Sequence, residues 1–175
     1  MTVEPTLPVE RADAQVLRRA FGMFATGVTV VTVGGGTPHA MTANSFTAVS
    51  LEPPLCLVCV DRGAIMHEAL SVSCFFGVSV LASHQEPVAR YFADRTRPLG
   101  MAQFNAVDWR PGGVTGTPLI NGALAHFECE VWRTYEGGDH TIFIGTVLSL
   151  DRQPETEALL FFQGQFGSLD ANATR

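Results

Sequence analysis

Apolar and polar positions change period several times along the chain, and each change marks an element. From Ala12 to Phe24 the apolar residues Val16, Leu17, Ala20, Phe21 and Phe24 recur at helical spacing, which predicts a helix ended by Thr26-Gly27. Val28 to Val33 is β-branched throughout and predicts a buried strand. Gly34-Gly35-Gly36-Thr37-Pro38 then turns the chain, and His39 to Val49 returns as the second strand of a hairpin.

Leu55 to Val60 and Cys74 to Leu81 predict further short strands, with a short helix from about Ala64 to Leu70 between them. Ser83 and Glu86 have capping-box spacing and open a helix through Tyr91 to Asp94. Residues 95–118, rich in Gly, Pro and Arg, predict a long excursion with one short strand near Ala106 to Trp109. Ala123 to Tyr135 and Thr141 to Leu150 read as two long strands joined by Glu136-Gly137-Gly138-Asp139. Ala158 to Phe162 is the last predicted strand. Residues 1–8 read as a flexible arm and 170–175 as a flexible tail, which leaves a single domain over 9–169. Short strands, tight turns and few helices predict a mainly β, Greek-key-like barrel with peripheral helices, not a βαβ fold.

Composition adds the partners. The chain is 46% hydrophobic and 16% charged, so part of its apolar surface is expected to lie against a second copy. Net charge is −6 and no basic run exceeds Arg18-Arg19, which excludes nucleic acid as a partner. Glu4 and Glu10 interrupt the N-terminal segment, which lacks the apolar core of a signal peptide. Stretches such as Leu55 to Val60 are too short to span a bilayer, so no membrane partner and a cytoplasmic location are expected. Cys56, Cys59, Cys74 and Cys129 all lie in apolar, strand-like segments and are expected as reduced core cysteines.

Several familiar patterns fail on chemistry. Gly34-Gly35-Gly36 is followed by a strand, with neither the Lys-Ser/Thr nor the helix N-terminus of a phosphate loop. Cys56 and Cys59 are three apart on a predicted strand, so their sulfurs point to opposite faces. His39, His67, His84, His126 and His140 form no metal-ligand spacing, and no metal site is expected. His140 differs from the others, because it sits where a Gly-Gly-Asp turn enters an apolar strand and can reach into a cleft.

The richest polar segment is Met41-Thr42-Ala43-Asn44-Ser45-Phe46-Thr47-Ala48-Val49-Ser50, ending at Pro53-Pro54. Small side chains let a flat ligand approach the backbone, and Thr, Asn and Ser can hydrogen-bond a heteroaromatic edge. The period-two placement of Thr42 and Asn44 equally suits the polar face of an edge strand. With no acid, base or nucleophile in the run, it reads as a bed for a cofactor that carries the chemistry itself.

Together these residues resemble the flavin reductase family of the FMN-binding split barrel, the small components of two-component flavin-dependent monooxygenases. The resemblance spans about Val16 to Leu169. It rests on Phe24-Ala25-Thr26-Gly27-Val28-Thr29-Val30-Val31-Thr32, the Met41 to Phe46 run with Ser50 and Pro53-Pro54, Cys59-Val60-Asp61-Arg62, Val80 to Gln85, and Gly138 to Gly145. It implies a homodimer of split barrels that binds FAD or FMN, oxidises NADH or NADPH, and hands reduced flavin to a partner monooxygenase. It also implies site residues. Thr42, Ala43, Asn44 and Ser45 would edge the flavin ring, with Ser50, Asp61 and Arg62 nearby. Ala82, Ser83, His84 and Gln85 would follow the ribityl-phosphate, and Gly27 and Phe166 complete the binding set. His140 would stand beside the nicotinamide as the catalytic residue. Phe162-Gln163-Gly164 departs from the family's Tyr-Arg-Gly, and no basic cluster shows near His140, which sets NADH ahead of NADPH. Reduction of another acceptor by a tightly held flavin, or flavin binding without catalysis, would use the same barrel.

Overall fold

The computed structural model describes residues 13–153 and 157–169; the predicted arm at 1–8 and tail at 170–175 lie outside the described residues. Seven strands form one antiparallel sheet: β2 (Thr29–Val33), β3 (His39–Ala43), β4 (Thr47–Leu51), β5 (Pro54–Asp61), β6 (Phe75–Val80), β9 (Ala125–Gly137) and β10 (His140–Arg152), in the order β3-β2-β6-β9-β10-β5-β4. The two edge strands, β3 and β4, are consecutive in the chain and joined only by Asn44-Ser45-Phe46. The sheet must therefore curl until its edges meet, yet no ladder joins β3 to β4. The result is the expected mainly β barrel, split along one seam.

Ser45 explains the seam. The β4–β5 ladder begins at Thr47 opposite Leu57, so the next paired position would set Ser45 against Cys59. There the Ser45 hydroxyl donates to the Cys59 carbonyl at 2.9 Å and accepts the Cys59 N–H at 3.1 Å. A side chain has taken the backbone's partners, and the strand stops. This corrects the single strand expected over 39–49, and it accords with the poor strand propensity of Asn44.

Strand β2 reads as β-branched throughout because it is buried on both faces. Val31 and Val33 face the barrel interior with Val58, Phe76 and Phe143, under Met66 and Leu70 of α2 (Ile65–Val72). Val30 faces outward to Phe92 of α3 (Glu86–Ala93), Phe104 and Leu159. Each such side chain, fully buried, contributes roughly 1.5–3 kcal/mol. Strands β9 and β10 carry register shifts at Ile144/Gly145 and Val147/Ser149, which bend the long hairpin around the core.

Outside the barrel lie a second sheet, in which β1 (Thr26–Gly27) and β12 (Gln165–Leu169) flank β11 (Ala158–Phe162), and a short hairpin of β7 (Trp109–Pro111) with β8 (Pro118–Ile120). Helix α1 (Ala14–Phe21) precedes β1 and buries no residue. Several of these elements differ from expectation: Thr26-Gly27 pairs with β11 besides ending the helical segment, β12 was not anticipated, and the one short strand expected over 106–109 begins only at Trp109, after a 3-10 segment (Gly100–Ala106), and pairs with the unexpected β8. The 95–118 excursion is held firmly. Gln103 is buried, accepting from Ala40 N–H at 2.9 Å and donating to the Pro38 carbonyl at 3.0 Å. Buried Glu128 accepts from Thr115 N–H at 2.6 Å, Val114 N–H at 3.0 Å and the Thr115 hydroxyl at 2.8 Å.

Two further expectations need correction. The Ser83/Glu86 capping box does not form, because Ser83–Gln85 is a separate 3-10 turn and α3 begins at Glu86. Gln85 Oε1 accepts the Ala82 N–H at 3.1 Å instead, and Glu86 engages Arg90 at 2.7 Å. Of the cysteines, Cys56 and Cys129 are buried with sulfurs 3.5 Å apart, Cys59 is half-buried, and Cys74 is exposed where the chain leaves α2. Among the described residues no helix is long and apolar enough to cross a membrane.

Candidate active site

The expected site residues fall into three neighbouring groups and one outlier. The first group is the seam. Thr42 donates its hydroxyl to the Ala89 carbonyl at 2.7 Å, tying β3 to α3. Ala43 is buried in the core and the Ser45 hydroxyl is committed to Cys59. Asn44 is exposed, and its amide has no hydrogen-bond partner among the described residues. Of the run Thr42 to Ser45, only Asn44 keeps side-chain hydrogen-bonding capacity for a ligand, while its neighbours shape the bed.

The second group stands at the end of β5. His140 lies directly opposite Asp61 across the β5–β10 ladder, so their side chains share a face. Cys59, the residue Ser45 holds, is two positions back on the same strand and face. Arg62 N–H donates to the Asp139 carbonyl at 3.0 Å, and its guanidinium is 3.4 Å from the exposed Glu136 carboxylate. His140 Nδ1 lies 2.7 Å from Asp139 Oδ1. A carboxylate only accepts, so Nδ1 carries a proton and Nε2 is left free toward the surface. The hydrogen bond from His140, its charge and the charge of Arg18 hold the Asp139 carboxyl below the usual range.

The third group runs from Ala82 to Gln85. Ala82 is buried and bridges to Ala158, Ser83 N–H donates to the Glu157 carbonyl at 2.8 Å, and Gln85 Nε2 donates inward to the Asn121 carbonyl at 2.8 Å. His84 is exposed. The first turn of α3 holds Glu86 and Pro87, so it offers an acid and one missing donor to an approaching phosphate. Phe166 lies beside this helix, with Arg90 stacked 4.8 Å from its ring centre. Gly27, on β1, faces open space.

Ser50 is the outlier. It pairs with Leu55, six residues from Asp61 along β5, which is roughly 20 Å in a strand. Within one chain it does not meet His140. A cavity of about 670 Å³ also lies away from these groups, at the far end of the β2–β3 hairpin between residues 33–39 and the end of α2.

Two residues of interest gave no sequence signal. Thr26 Oγ1, next to Gly27, is buried without a hydrogen-bond partner among the described residues. An unmet buried hydroxyl costs about 1–3 kcal/mol, which a ligand acceptor would recover. Arg18 couples to Asp139 through space, a relation that periodicity cannot express. With the free Asn44 amide and small neighbours, these features fit a flat polar heterocycle such as a flavin.

Asn44→Leu is expected to weaken flavin binding by about 1–3 kcal/mol without loss of fold. Ser45→Ala should instead lower stability, because it leaves the Cys59 N–H and carbonyl without their partner. Flavin titration and chemical denaturation of both variants separate the two roles. Equal flavin affinity for Asn44→Leu and wild type would remove Asn44 from the bed.

Comparison with known proteins adds to this geometry. Residues 21–170 match the family model described as a flavin reductase like domain. A solved structure of a Streptomyces globisporus C-1027 NADH:FAD oxidoreductase, in complex with NAD and FAD fragments, is 53% identical, with a TM-score of 0.87 over 92% of this chain and 95% of that one. BorF, the flavin reductase component of a bacterial two-component tryptophan halogenase, is 54% identical, with a TM-score of 0.88 over 90% of this chain and 99% of its own. The reductase subunit HsaB of a flavin-dependent monooxygenase from Rhodococcus jostii is 34% identical over 175 residues, which is 99% of this chain and 87% of that protein.

Proposed function

This chain belongs to the flavin reductase family, and from that premise we propose that it oxidises NADH, reduces free FAD and releases the reduced flavin to a separate flavin-dependent monooxygenase. The observation that carries this reading is the 53% identity, over nearly the whole length of both chains, to an oxidoreductase solved with fragments of both NAD and FAD. The site's chemistry agrees with it. Bound flavin supplies the reaction itself, accepting a hydride from the reduced nicotinamide, so no protein acid or nucleophile is required.

The protein's part is orientation and charge. The small-residue seam lets the ring approach the backbone, and Asn44 presents an amide to its polar edge. Asp139 fixes the tautomer and direction of His140, which leaves Nε2 as an acceptor for an N–H of the nicotinamide carboxamide. Thr42 holds α3 against the seam, so the bed keeps its shape when empty.

The assay is direct: purified protein, NADH and FAD, followed at the nicotinamide absorbance. A folded protein that leaves NADH unoxidised would refute the proposal. Saturation in FAD, rather than a flavin retained through gel filtration, is expected of a protein that releases its product.

A homodimer is part of this reading. Strand β4 is exposed along most of its length, with Leu51 at 93% and Val49 at 45% exposure, and Leu150 on β10 stands at 63%. Apolar side chains on a sheet edge and its neighbours favour burial against a second copy. Sedimentation at micromolar concentration should give twice 18.8 kDa; a monomer would defeat it. The cysteines are unpaired, consistent with a cytoplasmic enzyme that draws on reduced nicotinamide.

A further inference from the structure

Among the described residues, His126 is the only histidine with both ring nitrogens hydrogen-bonded. It is buried on β9 between Ser79 of β6 and Asp151 of β10, and the three side chains share one face of the sheet. Strand β8 lies against this row. Ile120 N–H donates to Ser79 Oγ at 2.9 Å, and the Ile120 carbonyl lies 2.7 Å from His126 Nε2. On the other side, His126 Nδ1 lies 2.7 Å from Asp151 Oδ1, while Asp151 Oδ2 accepts from Arg110 of β7.

These partners place the protons. A carbonyl oxygen only accepts, and so does an ionised carboxylate. Burial pushes the Asp151 carboxyl up, but the hydrogen bond and charge of His126, with those of Arg110, hold it below the usual range. Both ring nitrogens therefore donate, whereas a neutral imidazole has a single N–H. A neutral ring would turn a bare lone pair toward one acceptor at 2.7 Å. The other titratable groups around the ring are Glu128, two positions along β9, and Asp108 and His84 beside residues 121–122. Strands β6 and β8 present none. Three carboxylates against the one guanidinium of Arg110 favour a cation at this point.

The ring's second bond leads toward the flavin bed. Ile120 is followed by Asn121, whose carbonyl accepts from Gln85 Nε2 at 2.8 Å, and Gln85 Oε1 accepts the Ala82 N–H at 3.1 Å. Arg110 alone could neutralise Asp151; the imidazole adds the donor that the Ile120 carbonyl takes. We infer that His126 is a buried imidazolium clamped between Asp151 and the Ile120 carbonyl, and a positioning residue that holds Asn121 under the Ala82–Gln85 turn. The positioning role rests on the reading of that turn as the bed of the flavin's ribityl-phosphate. The sign follows from the proton. As pH rises and one proton leaves, Nδ1 keeps its own, facing the Asp151 charge, and the Ile120 carbonyl is released. The hold is complete at neutral pH and is lost on the alkaline side.

Long-range proton–nitrogen NMR of the wild-type imidazoles tests the charge. At about pH 7.5, where a free imidazole is mostly neutral, both His126 nitrogens should show protonated shifts, one proton leaving only at higher pH. D151N should lower the pH at which it leaves. FAD affinity of the wild type should fall about tenfold across the same transition, and in D151N the fall should move with it to lower pH. H126F should bind FAD about tenfold more weakly at neutral pH and lack the step. Exposed His84 is common to all three proteins, so its titration cancels in the comparison. A bare His126 nitrogen at about pH 7.5 would overturn the imidazolium. FAD affinities of D151N and H126F that match wild type, or differ from it by one factor at every pH, would overturn the positioning role. If wild type binds no FAD, the proposed function and the positioning role fall together, and the spectrum alone still decides the charge of the ring.

Discussion

Replacing His140 with alanine is expected to slow reduction of bound flavin by NADH about tenfold to a thousandfold, with flavin affinity nearly intact. The range corresponds to roughly 1.4–4 kcal/mol of lost transition-state stabilisation, as for a single oriented electrostatic contact. The expectation follows from placement. His140 opens β10 opposite Asp61, and its Nδ1 is held at 2.7 Å by Asp139, so the ring has a fixed direction. It stands apart from Asn44 and the seam, so removing it leaves the flavin bed unchanged. Hydride transfer needs no protein proton, and the loss should therefore appear in the rate or in nicotinamide affinity rather than as an abolished acid–base step. Stopped-flow reduction measures this directly. A variant that matches wild type in both rate and nicotinamide affinity would make His140 a structural residue.

The second large effect concerns stability. Gly145→Val should destabilise the protein by about 2 kcal/mol or more. A Cβ at this position would sit 2.5 Å from two ring atoms of Phe76 and 3.0 Å from the Cys129 Cβ. Phe76 is fully buried in the barrel interior and has nowhere to turn. Overpacking of this kind costs about 1–3 kcal/mol and at times more, whereas the gain in strand propensity is at most about 1 kcal/mol. Overlap wins. In a chain of this size the melting temperature should fall by roughly 4–8 °C. Denaturation of variant and wild type at equal protein concentration checks it, and a change under 0.5 kcal/mol would mean that the core yields more than this packing allows.

Gly145 shows how far the sequence could be read. The β9–β10 hairpin was legible because Gly137-Gly138-Asp139 breaks two long apolar runs, and local turn chemistry suffices for that. The need for glycine at 145 was not, because it arises from Phe76, a residue of a different strand that meets it only in the folded barrel. The same division runs through the site. The small polar run and the place of His140 stood out along the chain. That Ser45 and Thr42 would use their hydroxyls on Cys59 and Ala89 could not be read, since those partners are 14 and 47 residues away.

What the sequence determined by itself was the local alphabet: β-branched strands, glycine turns, a helix through Tyr91 and a polar bed without acid–base chemistry, each fixed by contacts a few residues apart. Tertiary structure alone decided where the sheet splits, which polar side chains remain free, and that Ser50 lies far from His140 within one chain. These depend on curling one sheet until its consecutive edge strands meet. Such closure is set by the summed packing of both cores, and no local window of sequence carries that sum.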